Sequence, residues 1–258
     1  MTDAPLHKRP GLLPGVLSVL LLLALWTVVA ALADDPRTMP SPRAVAGRVA
    51  ALAASGELWL HAGATLGRVL ASFALAMAVG SALGLWMGRS RAADHWLNPS
   101  LVIALNIPAL VVIVLAYIWI GLNEVAAVAA VALNKIPVTA VMLREGARAL
   151  RPDLDDMALA FRMGWWARLR HVVLPQLAPH IAAAARAGLS LIWKIVLVVE
   201  FLGRSNGVGF KIHLLFSSFD VAGVLAWALA FVAVMLLIDL AVLRPLEAGA
   251  NRWRRDEA

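Results

Sequence analysis

The 258-residue chain has no cysteine, one tyrosine, and charged side chains at only 15% of its positions. Without cysteine there is no disulfide, no thiolate metal ligand and no thiol nucleophile. So little charge cannot cover the surface of a soluble domain of this length. The 62% hydrophobic content and mean hydropathy of +0.81 place the chain in the membrane class. A Walker A loop is missing too, since it needs Gly-Lys followed by Ser or Thr. Lys8, Lys135, Lys194 and Lys211 instead follow His, Asn, Trp and Phe. The histidines are scattered, with His171 and His180 separated by two prolines, and no Ser-His-Asp or paired-carboxylate pattern stands out. Nothing in the sequence points to catalysis or to a bound cofactor.

What is present is length in apolar runs. A spanning helix needs roughly 20 mostly apolar residues, and six stretches qualify: about Leu12–Ala33, His61–Met87, Leu97–Ile120, Val125–Leu143, Gln176–Leu202 and Val221–Leu243. Trp59, Trp86, Trp96 and Trp119 fall near span ends, where interfacial aromatics belong. The first run follows His7, Lys8 and Arg9. The uncharged stretch that contains it, Pro10–Ala33, is 24 residues long and exceeds the 7–15 of a secretory signal, so it is expected to be a retained anchor. This divides the chain into an anchor and linker (1–60), a core (61–244) and a basic tail (245–258).

The net charge of +7 has a topological reading. With the amino terminus inside, fourteen Lys and Arg fall in cytoplasmic segments. Five fall outside: Arg37, Arg43, Arg48, Arg204 and Lys211. That positive-inside bias puts both termini in the cytoplasm of a multi-pass inner-membrane protein. No basic stripe interleaves with exposed aromatics, so nucleic acid is not an expected partner.

The longest internal cytoplasmic segment is Arg144–His171. Pro152-Asp153 marks a helix start, with Asp155 and Asp156 in the first turn, where the helix dipole favours carboxylates. Gly164 is expected to break the helix before Trp165-Trp166. The pattern predicts helix, turn, helix, with Phe161, Trp165 and Trp166 displayed outward. Such groups need either a protein partner or anionic headgroups to cover them, and the residues alone do not choose between the two.

The segment resembles the cytoplasmic EAA loop of ABC importer permeases: Glu-Ala-Ala, three residues, Gly, nine residues, Ile, one residue, Leu-Pro. Anchored on Leu174-Pro175, the pattern falls on Asp156-Met157-Ala158, then Arg162 at the Gly position, then Val172. The departure at Arg162 leaves Gly164 as the alternative turn residue. The likeness covers about Gly63–Arg244 and is closest to the nitrate, sulfonate and taurine permease group. Leu97-Asn98-Pro99, Trp119-Ile120-Gly121, Ile192-Trp193, Val199-Glu200-Phe201-Leu202 and Ser205-Asn206-Gly207-Val208-Gly209 carry it. The resemblance implies an all-α type I importer permease. It implies a loop (153–175) that docks on a separate ATPase carrying ATP and Mg, two copies of that ATPase, a periplasmic solute-binding protein, and a permease homodimer in the lipid. Asp156, Met157, Ala158, Phe161, Arg162, Gly164, Trp165, Val172, Leu174 and Pro175 are the implied coupling residues.

Polar groups inside the spans are the remaining candidates. An intramembrane ammonium costs at least ~2.5 kcal/mol, so it faces water or a counter-charge. Lys135, beside Asn134 and before helix-breaking Pro137, and Lys194, in the span that also holds Arg186 and Glu200, either line a path for an anion or pair structurally. Arg186 reads better as snorkelling. Asn106, next to Pro108, is a further lining candidate. Ser72, Ala76, Gly80, Gly84 and Gly88 recur every four residues, as in a close helix seam within one chain or between two. The segment Gly203–Asp220 reads as a turn and a short surface helix, either a binding-protein contact or a re-entrant cap. The alternative reading, a transporter driven by an ion gradient, expects two matching repeats, and no internal duplication is visible.

Overall fold

The computed structural model describes residues 12–243, which are almost entirely helical, with no strand among them. In chain order the helices are α1 (Leu12–Ala33), α2 (Pro42–Ala54), α3 (Glu57–Arg89), α4 (Arg91–Asn106), α5 (Ala109–Ile120), α6 (Glu124–Arg148), α7 (Pro152–Ala160), α8 (Trp165–Arg168), α9 (Leu174–Gly203), α10 (Val208–Ser217) and α11 (Val221–Ile238). A π-helical turn, Leu169–Val173, joins α8 to α9, and another, Asp239–Leu243, extends α11. His7, Lys8, Arg9 and the basic tail 245–258 lie outside the described residues.

Local chemistry sets several helix starts. The Ser41, Ser90, Asn123 and Asp220 side chains accept hydrogen bonds from the backbone N–H groups of Ala44, Ala93, Ala126 and Gly223, capping α2, α4, α6 and α11. Five helical stretches are long and apolar enough to span a membrane, and a sixth is the pair α4–α5, bent by 97°. The expected straight span over Leu97–Ile120 is therefore corrected to a broken one. Pro108 forces Ile107 out of the helical region, to φ −73° and ψ 124°, and offers no N–H to the ladder. Pro137 behaves differently. It lies buried inside an uninterrupted α6, contrary to the expected break.

The core is built on α3 packed against α6, with α9 closing the third side. Small residues make the first contact possible. A Cβ on Gly80 would come within 2.6 Å of the Thr139 Cβ, one on Gly84 within 2.4 Å of the Ala140 carbonyl oxygen, and one on Gly88 within 2.5 Å of the Ala147 Cβ. The four-residue stripe is thus an intrachain seam. Ser72 strengthens it by donating to the Val128 carbonyl at 3.3 Å. Tyr117 of α5 donates its hydroxyl to the Val199 carbonyl of α9 at 2.8 Å, tying the bent pair to the core. By contrast, none of the apolar window of α1 is buried; Trp26 donates to the Pro40 carbonyl at 3.1 Å.

Candidate functional site

The loop between α6 and α9 protrudes from one end of the bundle. Pro152 occupies the first turn of α7, where its missing N–H costs nothing. Asp153 and Asp155 face the positive helix end, and the Arg151 guanidinium reaches Asp153 at 2.5 Å. α7 terminates in a Schellman motif: Met163 N–H donates to the Ala158 carbonyl and Arg162 N–H to that of Leu159, each at 2.9 Å. Its left-handed residue is Arg162, at φ +50°. The turn assigned to Gly164 by sequence reasoning therefore falls on Arg162, the motif's glycine position. Gly164 is extended, at φ −61° and ψ 154°, and precedes α8.

The loop sorts its motif residues into anchors and display. Ala158 and Val172 are buried, and Val173 joins Leu143, Leu177 and Ala184 in a core cluster below. Phe161 and Trp165 are 77% and 75% exposed, and Met157, Leu159, Trp166 and Leu174 are exposed as well. Asp156, Arg162, Gly164 and Pro175 are also at the surface. Asp155, absent from the sequence-derived site, accepts hydrogen bonds from Arg89 at 2.7 Å and from Arg168 at 3.1 Å. The Arg168 hydrogen bond, aided by the Arg89 charge, holds its carboxyl below the usual range.

The intramembrane candidates separate. Glu200 is fully buried, and its carboxylate accepts from Arg68 at 2.5 Å, Thr65 at 2.9 Å and the Gly209 N–H at 2.8 Å. It belongs to a polar cluster at the bundle end opposite the loop. Arg68 also binds Glu124, at 2.7 and 2.8 Å, and the Asn206 side chain; Arg204 reaches Glu124 at 2.5 Å. Gly207, at φ +107°, fits because any Cβ would enter the Glu200 carboxylate at 2.3 Å. Sequence reasoning missed Arg68 and Glu124; the signal available was a lone arginine inside the second span.

Lys135 is 2% exposed and lies against Gly188, and its Nζ has no hydrogen-bond partner. One turn on, the Thr139 hydroxyl is likewise unpartnered. Asn134 is half-buried. Lys194 is exposed on α9, with Nζ 5.5 Å from the Trp193 ring centroid. Asn106 is exposed at the α4–α5 corner and donates to the Val102 carbonyl at 2.8 Å, so it finishes a helix end. No group of metal-ligating side chains occurs among the described residues.

An all-helical bundle with several helices of membrane-spanning length, and a helix–turn–helix loop between α6 and α9, defines a multi-pass membrane protein. The chain belongs to the family described as binding-protein-dependent transport system inner membrane component, whose sequence model matches residues 80–244. It is the permease subunit of an ABC importer, a class that works with an ATPase and a solute-binding protein. A permease protein of Bacillus subtilis named for aliphatic sulfonates transport is 29% identical over 97% of this chain and 91% of its own length. The taurine transport system permease protein of Escherichia coli is 25% identical over 96% and 92%. A riboflavin transport system permease protein of Chloroflexus aurantiacus is 30% identical over 92% and 88%. Relatives of similar closeness thus carry names for chemically different solutes.

Proposed function

We propose that the chain passes a small anion, such as a sulfonate, nitrate or carboxylate, along a water-filled path between two copies of itself. The observation that carries this reading is Lys194. A lysine exposed on the monomer surface two-thirds of the way along a spanning helix is costly in lipid. Water and a second subunit against that face of α9 remove the cost, and an ammonium there favours an anion. Lys135, whose buried Nζ has no hydrogen-bond partner among the described residues, supports the same sign of solute. Names of relatives that include aliphatic sulfonates and taurine agree with it.

In this reading the α7–α8 loop lies in the cytoplasm, as the Lys and Arg distribution predicts, and both termini share that side. Met157, Phe161, Trp165 and Leu174 fill a groove on each of two ATPase subunits, which carry the ATP and Mg. Ala158 and Val172 fix the loop to the bundle. Nucleotide-driven closure of the ATPases then swings the bundle between inward- and outward-facing states, while the binding protein delivers solute to the opposite end. The test is Lys194→Met in the assembled transporter. Uptake of taurine and of an alkanesulfonate, used as probes, is expected to fall about tenfold while ATPase association is unchanged. Uptake of a transported anion at unaltered rate and affinity would remove Lys194 from the path.

A further inference from the structure

The coupling loop is covalently continuous with α6 on one side and α9 on the other, but not with α3. Yet α3 is the helix that forms the glycine seam with α6 and carries Arg68 at the far end. A loop that moved only its two chain neighbours would act on α3 solely through that seam, as a shear along the α3–α6 contact. Asp155 closes the gap. It stands in the first turn of α7, one turn before buried Ala158, and receives Arg89, the last residue of α3, at 2.7 Å. Its carboxylate also takes Arg168, the last residue of α8, at 3.0–3.1 Å. One side chain therefore fastens α7, α8 and α3 together. All three groups are only partly exposed, 33%, 23% and 27% for Arg89, Asp155 and Arg168. Such charge-assisted contacts are directional, and a carboxylate shared by two guanidiniums resists rotation.

We propose that Asp155 is a positioning residue through which the docking loop drives α3, so that α3 and α6 move as one unit during the transport cycle. This rests on the docking role proposed above for the loop, and adds a separate route from the loop into the bundle. The neighbouring Asp156 and the aromatic groups face outward for the ATPase, whereas Asp155 faces inward, so binding the ATPase and transmitting its motion fall to different side chains. Loss of the carboxylate charge leaves the docking face intact and frees α3 from it.

The absence of cysteine allows a direct test in the complete transporter, reconstituted with its ATPase and binding protein in nanodiscs. Gly63→Cys places a thiol on the exposed face of α3 near the far end, where a Cβ meets nothing within 4 Å. Its rate of reaction with a charged maleimide is compared with and without ATP and vanadate. The nucleotide-dependent change is expected to shrink at least fivefold on adding Asp155→Asn or Arg89→Met, while ATP hydrolysis keeps half or more of its rate. Asp155→Glu is expected to restore the change. An undiminished response in both charge-removing variants would overturn the proposal. So would joint loss of hydrolysis and ATPase association, because Asp155 would then be part of the docking surface. Failure of the unmodified loop to bind the ATPase at all would take down the docking role and this proposal together; the first two results leave the docking role standing.

Discussion

Arg68 and Glu200 lie 132 positions apart in the chain and meet at 2.5 Å with both side chains withdrawn from the surface. The pair joins α3 to α9 at the end away from the loop, and Glu124 brings in the start of α6. Removing one member of a buried pair leaves the other charge uncompensated, at about 3–5 kcal/mol. Arg68→Met is therefore expected to lower the thermal midpoint of the purified protein sharply. Glu200→Gln, which keeps an acceptor for the Gly209 N–H, is expected to cost less. Fluorescence-detected melting in detergent measures both.

The seam between α3 and α6 gives a paired contrast. Gly84→Ala puts a methyl 2.4 Å from the Ala140 carbonyl and 2.8 Å from the Leu143 Cβ, forcing the helices apart at about 1–3 kcal/mol. Gly63→Ala, on the same helix, meets nothing and is expected to gain up to about 1 kcal/mol from helix propensity. The same melting experiment should move in opposite directions.

Arg162 stands where a glycine relieves strain. A left-handed conformation costs a non-glycine residue about 1–2 kcal/mol, and glycine's larger unfolded-state entropy returns part of that. Arg162→Gly is expected to tighten the loop modestly, and Arg162→Val to loosen it. The rate of protease cleavage between α7 and α8 reads the difference.

Asp155 sets the pH response of the loop. Its carboxyl titrates below the normal 3.8 because Arg168 and Arg89 stabilise the ionised form. A depressed pKa contributes stability above the unfolded value, lost as pH falls through the folded one. The protection of α7 and α8 amides, measured relative to the intrinsic exchange rate at each pH, is therefore expected to stay constant from about pH 8 to 5 and to fall only below about pH 4. In Asp155→Asn the lowered protection should already be present at pH 7.

Much of this architecture is written in local pattern. Apolar runs of spanning length announce the spans, and Pro152 with its acidic first turn announces α7. The spacing from Asp156 to Pro175 falls on the helix–turn–helix loop between α6 and α9. Proline was less readable, because its effect depends on surroundings. Pro108 ends a helix at a corner exposed on α4, whereas Pro137 is absorbed by the tightly packed α6. Residue preference points to Gly164 as the turn residue, while the hydrogen bonds accepted by the Ala158 and Leu159 carbonyls put the left-handed turn on Arg162. Glu200 pairs with Arg68 and Thr65, which lie more than 130 positions away. No local pattern reports such a pairing.

The central claim is that the loop's exposed aromatic face docks on the ATPase. In a chain without cysteine, Phe161→Cys and Trp165→Cys each introduce a unique thiol. Cross-linking of membranes containing the whole transporter, with Ile103→Cys on the exposed face of α4 as control, tests the claim directly. The account predicts a permease–ATPase adduct from positions 161 and 165, with a yield that changes on adding ATP, and none from 103. Equal yields from all three positions, or thiols at 161 and 165 reached only by lipid-borne reagents, would contradict it.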